Sequence, residues 1–219
     1  MMIRPLFLSL LLAAPSLSLA RDVTVRLLAE RAPEAAGEIV LVAGDKRSAA
    51  LPLPVNVPSE PVPVAERSFE VKAAEGDASL AKVVLPEAGE AFLVLLLPTE
   101  KTYQTVVLAA DGKEFKAGDV YFHNSSAKTV SGKVGSVEFT LEPGKGSVIT
   151  PAGASPEKLY DVSFKVRDEK RERVLSETRW PVDPQLRTYV FFFNKPGSDR
   201  VDYRAVEEFI AAPEPGKKR

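Results

Sequence analysis

His123 is the only histidine in the 219-residue chain, and so the only side chain whose ordinary pKa suits acid–base work near neutral pH. Asn124-Ser125-Ser126 follows it directly and sets two hydroxyls beside an imidazole, the raw material of a nucleophile–base pair. A triad also needs an orienting carboxylate and an oxyanion hole, and neither has a signature here. Three polar residues at a strand end more often make a turn. The local alternation points Val120 and Phe122 inward and His123 outward, which predicts a surface histidine. Asn124-Ser125-Ser126 also fits an N-glycosylation acceptor.

Other chemistries fare worse. There is no cysteine, which excludes disulfides, thiol catalysis, iron–sulfur clusters and cysteine-based zinc sites. One histidine excludes multi-histidine metal sites. Thirty acidic residues leave a glycosidase pair open by counting alone. Yet Glu207-Glu208 and Asp168-Glu169 are adjacent pairs, which point to opposite faces of a strand rather than converging. Asp199 and Asp202 lack the calcium-loop spacing, and Gly132-Lys133-Val134-Gly135 lacks both the P-loop spacing and a following helix. No catalytic residue, metal ligand or cofactor is expected. The remaining candidates are aromatic: Trp180, Tyr189, Phe191 and Phe193, with Phe192 between the last two. On an open sheet face they would stack on sugar rings or anchor a protein partner; inside, they would fill a core.

The elements that carry these residues are strands. Val23-Thr24-Val25-Arg26-Leu27, Val137-Glu138-Phe139-Thr140-Leu141 and Val162-Ser163-Phe164-Lys165-Val166 alternate apolar and polar, as half-buried strands do. Ala91 to Leu97 and Tyr189 to Phe193 are apolar throughout, the mark of a strand covered on both faces or lying where two modules meet. Turn residues recur about every 10 positions, the spacing of an all-β sandwich. The proline-rich stretch Leu51 to Pro63 suits an edge strand or surface crossing. It reads either as a docking peptide or as edge protection, and the latter is favoured.

The two halves repeat one pattern. Val23-Thr24-Val25-Arg26 aligns with Val120-Tyr121-Phe122-His123 at an offset of 97, and Ala91 to Pro98 with Thr188 to Lys195 at the same offset. Ser68-Phe69-Glu70-Val71-Lys72 matches Ser163 to Arg167 at 95, as Leu85-Pro86 matches Trp180-Pro181; Tyr103 to Leu108 matches Arg200 to Ala205. About seven strands per half predicts two tandem immunoglobulin-like β-sandwich modules, with one irregular large sandwich as the alternative. The expected boundaries are a signal peptide at 1–20, module 1 at 21–112, module 2 at 113–215 and a basic tail at 216–219, with Asp111-Gly112-Lys113 as connector.

Met1 to Ala20 carries Arg4, an apolar run and Ser18-Leu19-Ala20, the layout of a secretory signal cleaved before Arg21. The run is too short to span a bilayer, so a mature chain without a membrane span is expected, periplasmic or extracellular and bacterial. Residues 21–112 hold 9 basic and 14 acidic side chains and residues 113–219 hold 19 and 16. Opposite signs would help the modules pack together or draw chains head to tail. The near-neutral total, with no aromatic-interleaved basic patch, argues against nucleic acid.

Val120-Tyr121-Phe122-His123-Asn124-Ser125-Ser126, then Val134-Gly135 and Leu141-Glu142-Pro143-Gly144, resembles secreted bacterial proteins of uncharacterised function built from immunoglobulin-like β-sandwich repeats. The resemblance covers about a third of the chain in turn motifs. It implies a secreted β-sandwich and carries over no catalytic residue. The expectation is an exported, non-enzymatic binding module: a protein-interaction or structural element of the cell envelope, able to self-associate. The alternative is a carbohydrate-binding module using an aromatic face with Trp180, Tyr189, Phe191 and Phe193. A hydrolase using His123 comes last.

Overall fold

The computed structural model describes residues 23–32, 37–168 and 171–211. The expected signal peptide and the basic tail lie outside these. Among the described residues there is no helix, and none is therefore long and apolar enough to cross a membrane. The first half carries β1 (Val23–Ala29), β2 (Glu38–Ala43), β3 (Lys46–Arg47), β4 (Leu51–Pro52), β5 (Val62–Val64), β6 (Ser68–Ala73), β7 (Ser79–Val84), β8 (Ala91–Pro98) and β9 (Tyr103–Ala109). The second carries β10 (Val120–Asn124), β11 (Thr129–Val134), β12 (Val137–Leu141), β13 (Gly146–Ile149), β14 (Leu159–Asp168), β15 (Arg171–Pro181), β16 (Leu186–Asn194) and β17 (Val201–Phe209). Nine and eight strands replace the seven per half that turn spacing suggested.

They form four sheets. In the first half the orders are β5-β1-β8-β9 and β3-β2-β6-β7, with β4 also on β2; in the second they are β13-β10-β16-β17 and β12-β11-β14-β15. Strand for strand the orders correspond, down to a parallel pairing of β1 with β8 and of β10 with β16. The first two strands of each half lie in different sheets, whereas a constant-type immunoglobulin sheet holds its first two together. Both edge strands β7 and β15 carry a bulge. The extra residues, Leu80 and Leu175, pack against their own cores. A bulge twists an edge away from pairing and discourages edge-to-edge association.

Alternation explains the cores. Val25, Leu27, Ile39, Leu41, Phe69, Val71, Phe92 and Val94 meet between the first two sheets. Phe122, Val130, Phe139, Phe164, Val190 and Phe192 meet between the second two. Gly132 leaves room for this packing, since a Cβ there would run into Phe139 and Phe164. A third apolar cluster joins the halves: Leu28, Leu93, Leu95 and Leu97 pack against Tyr121, Tyr189, Phe191 and Val206, with Phe115 of the linker among them. The layers therefore stack as four sheets, with sheets β5-β1-β8-β9 and β13-β10-β16-β17 back to back. That is why β8, and β16 from Tyr189 to Phe193, are apolar without a break: each has a core on one face and the seam on the other.

The offset of 97 places Val25 and Phe122 correctly, because both point into their cores. It fails by one residue in β8 and β16. Val25 lies opposite Phe92 and Phe122 opposite Val190, an offset of 98, so Phe191 answers Leu93 at the seam rather than Val94 in the core. The closing strands slip the other way: Val107 sits opposite Val94 and Tyr203 opposite Phe192, an offset of 96. A one-residue slip exchanges the two faces of a strand, and a strand apolar on both faces gives no pattern to expose the error.

Candidate functional site

The residues that sequence reasoning singled out converge on the seam, where they are closed in. Tyr189 and Phe191 have no exposed surface, and Phe193 is half-buried under the Arg31 guanidinium, 5.3 Å from its ring centre. Trp180 is elsewhere. It pairs across strands with Tyr160, half-buried at the end of the second core, with its ring edge-on to Phe164 at 5.8 Å. The four aromatics thus do not share an open sheet face.

His123 is a correction. It does point away from its own core, but that face of β10 is covered, and only 3 % of the residue is exposed. Its Nδ1 lies 3.3 Å from the Tyr121 hydroxyl, and its ring stacks on that of Tyr121. Across the sheet it sits between Phe191 on β16 and Gly146 on β13. Gly146 is required by this close approach: a Cβ there would collide with the Tyr121 hydroxyl and crowd His123. Burial pushes the His123 pKa down to about 4 and that of Tyr121 up to about 12, so both are neutral at pH 7.

The neighbouring hydroxyls point elsewhere. Ser125 Oγ donates to Glu30 Oε2 at 2.6 Å, across the seam, and Ser126 Oγ donates to Asn124 Oδ1 at 2.7 Å. Asn124 itself is fully buried. Its Nδ2 donates to the carbonyls of Lys128 and Leu141 at 2.8 and 2.9 Å, pinning the β10–β11 turn. With both amide hydrogens engaged and no access, it is a turn clasp and not a glycan acceptor, which corrects the sequon reading.

The polar groups that sequence reasoning missed sit around the seam. Glu208, 3 % exposed, accepts from Arg26 of the first sandwich on Oε1 and from the Tyr189 hydroxyl on Oε2 at 2.5 Å. Arg187 Nη1 stands 4.0 Å from the same carboxylate, and its guanidinium covers the Phe115 ring at 5.2 Å. Burial, then the Glu208 carboxylate, drives the Tyr189 pKa upward. On the other side Arg204 donates to the carbonyl of Glu30 at 2.9 Å, to Asn56 Oδ1 at 2.9 Å and to the carbonyl of Val55. Burial raises the Glu30 pKa, opposed by the Ser125 hydrogen bond and by Arg31 and Arg204. The charge split between halves does not set these pairs: Arg26 is a cation of the acidic half, and Glu208 an anion of the basic one.

The proline-rich stretch closes one flank. Its segment 54–59 hydrogen-bonds along β1, Ala29 N–H to Pro54 O at 2.7 Å and Ser59 N–H to Leu27 O at 2.9 Å, while the Ser59 carbonyl accepts from Arg26 Nε at 2.7 Å. It covers the edge of β1 beyond β5 and supplies the acceptors for Arg204. The segment is docked on its own chain.

Glu207, beside Glu208 on β17, is exposed, so that pair does face opposite ways. Among the described residues no group of three or more His, Asp or Glu side chains is placed to hold a metal ion. A scan against protein-family models finds no match to this chain, and no curated protein matches it.

Proposed function

We propose that the chain is an exported, non-enzymatic protein that serves as a protein-interaction or structural module of the cell envelope. The observation that carries this reading is the seam. Two sandwiches of one strand order are held back to back by an apolar cluster and by the buried Arg26–Glu208–Tyr189 network. The chain's one histidine and most of its candidate aromatics are spent on that packing. A stiff four-layer body presents its outer sheets, loops and strand ends, which suits holding partners in fixed relation. The duplicated module is immunoglobulin-like on our reading in size and two-layer architecture, with its own strand order.

The test is chemical cross-linking of the purified chain, residues 21–219, to isolated envelope fractions, alongside sedimentation over a range of concentrations. A discrete adduct or a concentration-dependent oligomer is expected. A chain that stays monomeric and captures nothing overturns the reading.

A further inference from the structure

At one end of the second sandwich the start of β14 and the end of β15 meet the start of β10 and β16 around a cavity of about 100 Å³. Tyr160 and Trp180, cross-strand partners, form aromatic walls, and Pro151 and Pro181 extend them. Among the described residues, the only charged ones lining it are Asp183 and Glu207, both acidic and both exposed. Asp183 uses Oδ1 to accept the Gln185 N–H at 2.8 Å. Neither carboxylate joins an ion pair among the described residues. A π face attracts a cation through its quadrupole, and two carboxylates at the mouth add charge of the complementary sign. A cavity of about 100 Å³ has room for a group of a few heavy atoms.

We propose that this pocket binds an organic ammonium group, with Trp180 and Tyr160 as its walls and Asp183 and Glu207 as counter-charges. This rests on the reading of the chain as a binding module and names the chemistry of one contact. The cation is either a methylated ammonium head group or the end of a lysine side chain.

Trp180 is the only tryptophan, so intrinsic fluorescence reports on the pocket alone. The chain is titrated with tetramethylammonium chloride and with Nα-acetyl-lysine amide. Sodium chloride at equal ionic strength and the uncharged branched analogue neopentyl alcohol serve as controls. A saturable change with at least one organic cation and none with the controls is expected, and whichever cation saturates first identifies the source. Glu207→Gln, an exposed substitution that leaves the melting temperature in place, weakens binding about fivefold, as loss of one surface charge contact would. Asp183→Asn with Glu207→Gln removes saturation. No saturable change, or an equal response to neopentyl alcohol, overturns the proposal. Cross-linking of the unaltered chain beside its titration separates the two readings. Adducts formed by a chain whose pocket does not titrate retain the interaction module and reject the pocket; a titrating pocket without adducts does the reverse.

Discussion

The two sandwiches share a strand order and fill it with different chemistry. The first core is mainly aliphatic, from Val25, Leu27, Ile39, Leu41 and Val94, with Phe69, Phe92 and Tyr103. The second is aromatic: Phe122, Phe139, Phe164 and Phe192 contact one another, and Trp180 and Tyr203 close on Phe164. Equivalent inward positions hold Val25 and Phe122, or Val94 and Phe192. Cores of matched volume and pattern support one topology with different side chains. The connections differ too. A four-residue turn at 142–145 joins β12 to β13, whereas 14 residues separate β3 from β5 and include the proline-rich segment. The longer connection is what reaches across to Arg204. The comparison teaches that the repeat is conserved in layering and that the joint between copies is built from what differs between them.

The sharpest challenge to this comparison is truncation in each core. Phe164→Ala costs about 3–5 kcal/mol and Leu41→Ala about 2–5 kcal/mol. If the seam couples the sandwiches, urea unfolding followed by Trp180 fluorescence and by far-ultraviolet dichroism gives one shared transition in both variants. Early loss of the fluorescence transition alone in Phe164→Ala, with the dichroism split in two, would mean independent modules.

Next in size is the seam itself. Glu208→Ala leaves Arg26 and the Tyr189 hydroxyl without their acceptor, and breaking a buried pair from one side costs about 3–5 kcal/mol. Splitting into two thermal transitions is the expected calorimetric result. A single transition at the wild-type temperature would show that the apolar cluster holds the halves unaided.

His123 contributes a pH dependence. Its folded pKa is about 4 against an ordinary 6.5, so between those values the unfolded chain binds a proton that the folded one does not. Stability is therefore full above about pH 6.5 and falls as pH drops toward 4, by about 3 kcal/mol in all. Glu30 acts with the opposite sign, because its raised pKa favours the folded state in acid. Melting temperatures of His123→Gln between pH 4 and 7 should be flatter than wild type; an identical slope would remove His123 as the cause.

The smallest effect separates the flank from the surface. Arg204→Ala, which loses the carbonyls of Glu30 and Val55, costs about 1–2 kcal/mol because the site is only partly buried. Arg179→Ala, at an exposed pair with Asp161, changes stability by under about 0.5 kcal/mol. Equal melting temperatures for the two variants would mean that the proline-rich segment does not clamp the seam.

Much of the fold was legible in residue order alone. Alternation in β12 and β14 is a local consequence of one wet and one dry face, so it can be read without knowing what packs on either. The offset of 95 put an inward residue on an inward one, Phe69 on Phe164, yet the bulges make Val71 the counterpart of Phe164, two residues on: Val71 sits opposite Ala81 and Phe164 opposite Ser176, each just before the extra residue. Even the seam left a trace, in the unbroken apolar runs Ala91 to Leu97 and Tyr189 to Phe193. A lone aromatic between charges, Glu114-Phe115-Lys116, is a further trace of it.

What only the tertiary structure decided is which surfaces are covered. His123 is outward by alternation yet buried beside Tyr121 and Phe191 on the seam face of its sheet. Asn124 matches a sequon yet is spent on two carbonyls, and Tyr189 and Phe191 are aromatic enough to bind a ligand yet serve as the joint. Periodicity reports how a strand sits in its own sheet, because the backbone sets that direction residue by residue. Docking between sandwiches depends on contacts separated by up to 182 residues, as between Arg26 and Glu208. No local pattern encodes which charge meets which across such a distance, and the phase of β8 and β16 is lost where both faces are equally apolar.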